Sequence, residues 1–338
     1  MVTVSTLGSH CAMQLLKGAK DEGLNTLLVC EKRRMSLYRR FSFIDKIVPV
    51  DSFADILNEP CASEIQNTIL IPHGTLISQL GSEDIEGIKV PMFGNKYILK
   101  WESDRDLKEQ MMREADLPVP DTVNSPDDID DMVIVKRQGA AGGKGYFMAS
   151  NTQEYHTRRQ SLIADGVLSA SEPLYIQRYI SGVLAYLQFF YSPIRDEVEF
   201  FGCDQRHESD IEGISRIPAS NQVISNTPSF NVIGNSPLVL RESLLDEAYK
   251  MAERFVDAAR RLASPGMNGP FCIEGVYDAD ARFSAFEFSA RIVAGTNIYM
   301  NGSPYYDLLF NESISMGRRI GREINSAAEA GRLDIITT

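Results

Sequence analysis

No apolar run in the 338-residue chain approaches the roughly 18 residues that a membrane-spanning helix needs. The start, Met1-Val2-Thr3-Val4, lacks the basic residues and long apolar stretch of a signal peptide. Cysteine is sparse. Cys11, Cys30, Cys61, Cys203 and Cys272 are odd in number, scattered, and form no C-x-x-C pair. Zinc and dithiol chemistry are therefore poorly supported, and a reducing cytoplasm is the expected compartment. Basic residues are in the minority: 34 Lys and Arg against 46 Asp and Glu leave a formal charge of −12. A global basic footprint for nucleic acid is thus absent, while a local basic site for a small anion remains compatible with the composition. Gly8 is isolated, and no G-x-G-x-x-G follows the first apolar run, which argues against a dehydrogenase. Internal repeats and low-complexity segments are also missing.

What is present is ordinary globular material, 43% hydrophobic and 24% charged. The first 90 residues alternate short apolar runs (2–7, 26–30, 46–50, 68–71) with helix-length segments. Ala12, Leu15, Leu16 and Ala19 make one helical stripe. This pattern predicts a small doubly wound parallel sheet, with ligands beyond the carboxyl ends of its strands. Thr6–His10 and His73-Gly74-Thr75 occupy such positions. Residues 96–115 read as one charged amphipathic helix. The remainder is richer in strands (132–136, 146–149, 174–180, 183–191, 197–203, 271–276, 283–288), with helices at 152–165, 242–262 and within 305–330. The class is α/β followed by α+β.

Four stretches carry possible chemistry. Lys136 ends an apolar strand and is followed by Gly139, Gly142, Gly143, Lys144 and Gly145. Successive backbone N–H groups in such a loop can nest around phosphate, with Lys144 adding charge. A hairpin loop with solvated charges fits equally. Second, Glu274 and Glu287 lie on two strands joined by a turn. A loop of 279–282 would pair Asp278 with Phe283 and set the two glutamates opposite each other, with Ser289 on the face of Glu287. Opposed carboxylates repel unless a cation sits between them, and Mg²⁺ is the economical candidate. Arg291 follows closely and could hold a phosphate. Third, Arg206-His207-Glu208 is either a site wall or a solvent-facing turn. Fourth, Ser9-His10 could receive an anion at a helix start. Asn231 and Asn235 flank Gly234 in an expected turn.

This order of features resembles the ATP-grasp superfamily, and several longer motifs narrow the resemblance. They include Ser5-Thr6-Leu7-Gly8-Ser9-His10, Ile71-Pro72-His73-Gly74-Thr75, Pro91–Lys96, Trp101–Arg105, Gly139–Phe147, Gln188–Pro193, Phe288–Asn297 and Ser315–Arg319. They are similar to the archaeal formate-dependent 5-formaminoimidazole-4-carboxamide ribonucleotide synthetase family, over Thr3 to about Glu323. The resemblance implies an ATP-grasp fold with an N-terminal Rossmann-like domain at 1–95. The ATP-grasp region would span 96–338, with a glycine-loop subdomain at about 120–180. It implies a carbon–nitrogen ligase that uses ATP and formate to formylate 5-amino-4-imidazolecarboxamide ribonucleotide (AICAR) through formyl phosphate. His10, Thr75 and Asn235 would bind AICAR. Lys136, Gly139, Gly142, Gly143, Lys144, Gln177, Tyr179, Ile180 and Glu208 would bind ATP. Arg291 would serve phosphate and catalysis, and Glu274 and Glu287 would hold Mg²⁺ or Mn²⁺. The implied assembly is a homo-oligomer, with no nucleic-acid or membrane partner. Ser289 stands where the superfamily has a metal-binding asparagine, and Gln177-Arg178 replaces the usual acidic hinge.

Overall fold

A computed structural model of the chain describes residues 2–137, 145–222 and 231–338. A four-stranded parallel sheet comes first: β1 (Thr3–Leu7), β2 (Asn25–Glu31), β3 (Lys46–Val50) and β4 (Ile69–Leu70), in the order β3-β2-β1-β4. Its residues alternate between two cores. Leu27 and Val29 join one, while Leu28 and Cys30 join the other. Burial on both faces is why these strands read as unbroken apolar runs. The segments 8–11 and 72–75 follow β1 and β4 at the carboxyl edge, as expected.

A three-stranded antiparallel sheet follows: β5 (Val133–Arg137), β6 (Phe147–Ala149) and β7 (Leu174–Arg178), in the order β6-β5-β7. The helix Thr152–Ala164 covers it through Tyr155 and Leu162. Asn151 caps that helix by accepting the Glu154 N–H at 2.9 Å.

The largest sheet has five antiparallel strands: β8 (Val183–Ser192), β9 (Glu197–Glu208), β10 (Val232–Pro237), β11 (Gly269–Tyr277) and β12 (Phe283–Ser289), ordered β10-β9-β8-β11-β12. The helix Leu245–Leu262 buries Met251 and Phe255 against Phe189, Phe271, Ile273 and Phe288. Side chains alternate along a strand, so Gln188, Cys272, Glu274 and Glu287 lie on the opposite face. That face carries the polar site described below.

Three expectations need correction. The segment 96–115 is two helices, Ile98–Ser103 and Arg105–Glu114, because Asp104 leaves helical geometry and caps the second by accepting from Asp106 N and Leu107 N. The helix expected within 305–330 is Met316–Glu329, preceded by a short one at Pro304–Phe310. Arg206-His207-Glu208 belongs to β9 rather than to a turn after it. Asn235 is in strand β10, paired with Arg206, and not in a turn. A Gly-Asn pair favours turns locally, but an open sheet edge supplies partners that override it.

The end of the chain returns to the first sheet. Met92 and Thr338 exchange two backbone hydrogen bonds of 2.9 Å. The helix Met316–Glu329 packs on the helix Ala12–Asp21, where Gly317 N–H donates to Gln14 Oε1 at 2.6 Å. A Cβ on Gly18 would sit 2.3 Å from the backbone of Gly317 and Arg318. Among the described residues, no helix is long and apolar enough to cross a membrane. The expected consequence of the tight helix pair is that Gly18→Ala lowers stability by about 1–3 kcal/mol in urea unfolding. An unchanged midpoint would mean that the two helices part easily.

Candidate functional site

Glu274 of β11 and Glu287 of β12 are direct register partners. The sequence expectation of this pair holds, but by a different route. Tyr277, not Asp278, pairs with Phe283, so the loop is 278–282. Asp278 Oδ1 accepts the N–H groups of Asp280 and Arg282, both at 2.9 Å, and Ala281 takes φ 60°. The register then shifts between Glu274 and Gly275, leaving Phe286 as an extra residue. This bulge restores the glutamate pair that the longer loop would have displaced. Ser289 Oγ donates to Glu274 Oε1 at 3.0 Å.

Cations from separate elements compensate the two carboxylates. Arg206 of β9 pairs with Glu274 at 3.0 Å and lies 3.7 Å over the Tyr186 ring. Lys108, only 3% exposed, reaches Glu287 from the helix Arg105–Glu114. Burial pushes the Glu287 carboxyl up, but Lys108 and Arg105 outweigh it and hold its pKa well below the usual carboxylate range. Lys136 is the penultimate residue of β5, with its Nζ 2.8 Å from Gln177 Oε1 and 5.1 Å from the Phe286 ring centre. Burial, aided by repulsion from Arg105, lowers its pKa from 10.5 to about 7. Lys108 and Arg105 escaped the sequence reading because a charged helix suggests a solvated face. Their signal was spacing: 105, 108, 111 and 112 are the buried positions of that helix.

A second group meets at the edge of the parallel sheet. His10 follows β1 with φ 57°, and its carbonyl accepts from Asn297 Nδ2 at 3.2 Å. Its ring stacks on His73, with centroids 5.5 Å apart. His73 Nε2 donates to Leu7 O at 2.9 Å, and its Nδ1 accepts the Thr75 N–H at 3.2 Å. Those bonds make His73 a structural cap. Burial lowers its pKa to about 4, and burial also takes His10 well below its ordinary value. Arg291 pairs with Glu102 at 2.9 Å, while Glu102 also accepts the Ala290 N–H at 2.9 Å. A Cβ on Gly74 would lie 3.1 Å from His10 and 3.3 Å from Arg291. The first domain's strand ends and the segment after β12 therefore touch here.

The remaining expected residues are placed as follows. Gln177 is buried in β7, while Tyr179 and Ile180 lie just beyond it, with Tyr179 exposed. Glu208 is half-buried at the end of β9, and burial raises its pKa despite Arg206. Asn235 donates through Nδ2 to Asp204 Oδ2 at 2.7 Å. Gly139, Gly142, Gly143 and Lys144 lie outside the described residues. Among the described residues, no three His, Cys, Asp or Glu side chains form a metal cage. Two opposed carboxylates beside a hydroxyl nevertheless make an all-oxygen donor set, which suits Mg²⁺ completed by phosphate oxygens.

The family described as "Domain of unknown function (DUF1297)" matches residues 154–338, and "Protein of unknown function (DUF1246)" matches 4–123. The chain is 64% identical, over the whole of both chains, to a 5-formaminoimidazole-4-carboxamide-1-(beta)-D-ribofuranosyl 5'-monophosphate synthetase of Nitrosopumilus maritimus. It is 45% identical to the protein of that name from Methanothermobacter thermautotrophicus, covering 100% of this chain and 94% of the other. The crystal structure of an IMP biosynthesis protein PurP from Thermococcus kodakaraensis matches with a TM-score of 0.80 and 31% identity, over 99% of this chain and 100% of that one. A biotin carboxylase of Campylobacter jejuni shares the fold at a TM-score of 0.68 and 15% identity, over 97% of this chain and 71% of that one.

The buried Lys136 has a measurable signature. Its folded pKa near 7 lies below its ordinary 10.5, so the unfolded chain binds the extra proton between those values. Stability contributed through this group therefore rises with pH across that window. Wild type should gain stability relative to Lys136→Met as pH rises from 7 to 10 in urea unfolding. A pH-independent difference would contradict the burial of a strained ammonium.

Proposed function

The chain belongs to the 5-formaminoimidazole-4-carboxamide ribonucleotide synthetase family of ATP-grasp ligases, and we propose that the residues gathered above carry out that family's reaction. ATP, formate and AICAR give ADP, phosphate and the formylated nucleotide. Formate has no leaving group. An oxygen of formate takes the γ-phosphoryl group, the bond to ADP breaks, and formyl phosphate results. The amine of AICAR then attacks the formyl carbon, phosphate leaves with the electron pair, and the amine loses a proton.

Positioning and charge stabilisation account for most of the catalysis in such transfers. Lys136 contacts the phosphates from the end of β5. Gly139, Gly142, Gly143 and Lys144 form the cover above them. Gln177, Tyr179 and Ile180 hold adenine, and Glu208 holds the ribose. Glu274 and Glu287 bind Mg²⁺ or Mn²⁺, which screens phosphate charge when bound. Arg206 and Lys108 balance the charge of the two carboxylates beforehand. Arg291 steadies the negative charge of formate and of the acyl phosphate. His10, kept neutral by burial, hydrogen-bonds AICAR together with Thr75 and Asn235. Residues 1–95 thus present the acceptor nucleotide, and 96–338 grip ATP. The enzyme works in the cytoplasm as a homo-oligomer.

The observation that supports this assignment most is the meeting of His10 and Arg291 around Gly74. It brings the acceptor end of the first domain against the segment that carries Glu287. Phosphate release is the direct test, with ATP, Mg²⁺, formate and AICAR present and each omitted in turn. Release that requires all four, with a product heavier by one formyl group, is expected. Release with another acid in place of formate would reassign the substrate. Glu287→Gln should lower turnover at least about 100-fold while preserving the fold. His10→Ala should raise the Kd of AICAR about tenfold and leave ATP affinity unchanged in calorimetry. Unchanged AICAR affinity would remove His10 from that subsite.

A further inference from the structure

Beside Asn235 runs a buried polar chain that the reaction above does not use. Asp204 of β9 is 1% exposed, and Gln188 of β8 is fully buried. Gln188 Nε2 donates to Asp204 Oδ1, and Asn235 Nδ2 donates to Asp204 Oδ2 at 2.7 Å. Both carboxylate oxygens are thus occupied by amide N–H groups. An ionised carboxylate only accepts, so both amides must turn their NH₂ ends toward it. Their carbonyl oxygens consequently point elsewhere. Gln188 Oε1 is buried and has no hydrogen-bond partner among the described residues. A buried acceptor without a donor is costly unless a ligand supplies one.

The backbone above the chain holds it in place. A Cβ on Gly295 would lie 2.1 Å from Asp204 Oδ1 and 2.5 Å from Gln188 Nε2. Only glycine lets the 294–299 segment lie this close, and that segment also carries Asn297, the donor to the His10 carbonyl. Burial raises the Asp204 pKa; Arg206 counteracts it, but Arg206 is itself paired with Glu274. The chain therefore carries amide acceptors backed by a negative charge, beneath the segment whose Asn297 reaches the His10 carbonyl.

We propose that Asp204 is a positioning residue that fixes the Asn235 and Gln188 amides as acceptors, so that the site takes an imidazole nucleotide bearing a carboxamide and rejects the corresponding 4-carboxylate. A carboxamide brings an N–H donor to the part-buried Asn235 oxygen. A carboxylate brings only acceptors and a charge that Asp204 repels. The inference rests on the assignment of Asn235 to the AICAR subsite.

Calorimetry on the full-length enzyme tests it, with AICAR and its imidazole-4-carboxylate analogue as the two probes. Wild type should prefer AICAR by roughly tenfold or more in Kd. Asp204→Asn lets the Asn235 amide turn over, so the preference should collapse while the Kd of ATP stays constant. Asn235→Ala should lose the same preference, and Asp204→Asn added to it should change nothing further. Equal weakening of both nucleotides in Asp204→Asn would make Asp204 merely structural and overturn the proposal, as would an unaltered preference. Should Asp204→Asn fail to fold, Asn235→Ala decides alone: a retained preference overturns the proposal. A wild type that binds AICAR without preference overturns this inference only. A wild type that does not bind AICAR overturns the functional assignment with it.

Discussion

Glu274 and Glu287 face each other across neighbouring antiparallel strands, where like charges repel. The charged groups around them answer that constraint. Arg206 comes from the same sheet, Lys108 from the helix Arg105–Glu114, and Lys136 from the smaller three-stranded sheet. Three elements are therefore drawn together by two carboxylates. Burial disfavours a charged ammonium even as it strengthens attraction. Lys136 registers that tension directly, with a pKa brought down to about 7. Such a cluster would suit a polyanion with its counterion, since cations already turned inward need only side-chain shifts to reach phosphate.

The same economy links the two ends of the reaction. Glu102 holds Arg291 by an ion pair and the adjoining backbone by the Ala290 N–H. Arg291 in turn lies near His10 and the His73 cap, across a glycine that leaves room for both. A reactive acyl phosphate is useful only if the amine waits beside it and water does not. Strand ends of the parallel sheet and the tail of β12 meet at one point, which is the geometry such a transfer requires.

Much of this could be read from residues alone. The parallel sheet was legible because its strands are buried on both faces and so are apolar throughout. The glutamate pair was legible from hairpin counting, although a longer loop and the Phe286 bulge had to cancel for the count to succeed. Asn235 was hidden as a strand residue because an edge strand is made by its neighbour rather than by its own propensity. Lys108 and Arg105 were hidden because helix breaks set by a single cap, here Asp104, change which face turns inward. Asp204 gave no signal, and Gln188 gave one only as the first residue of a longer motif. A polar residue in a strand declares its partner only when the register across three strands is known.

On the proposed reading, the opposed glutamates bind a divalent cation together with ATP. The most direct measurement is an anomalous-scattering map from crystals grown with Mn²⁺ and a non-hydrolysable ATP analogue. A manganese peak between Glu274 and Glu287, with Lys108 moved from Glu287 toward the phosphates, is the predicted result. Bound nucleotide with the metal elsewhere, and with Arg206 and Lys108 still paired as they are now, would contradict the account.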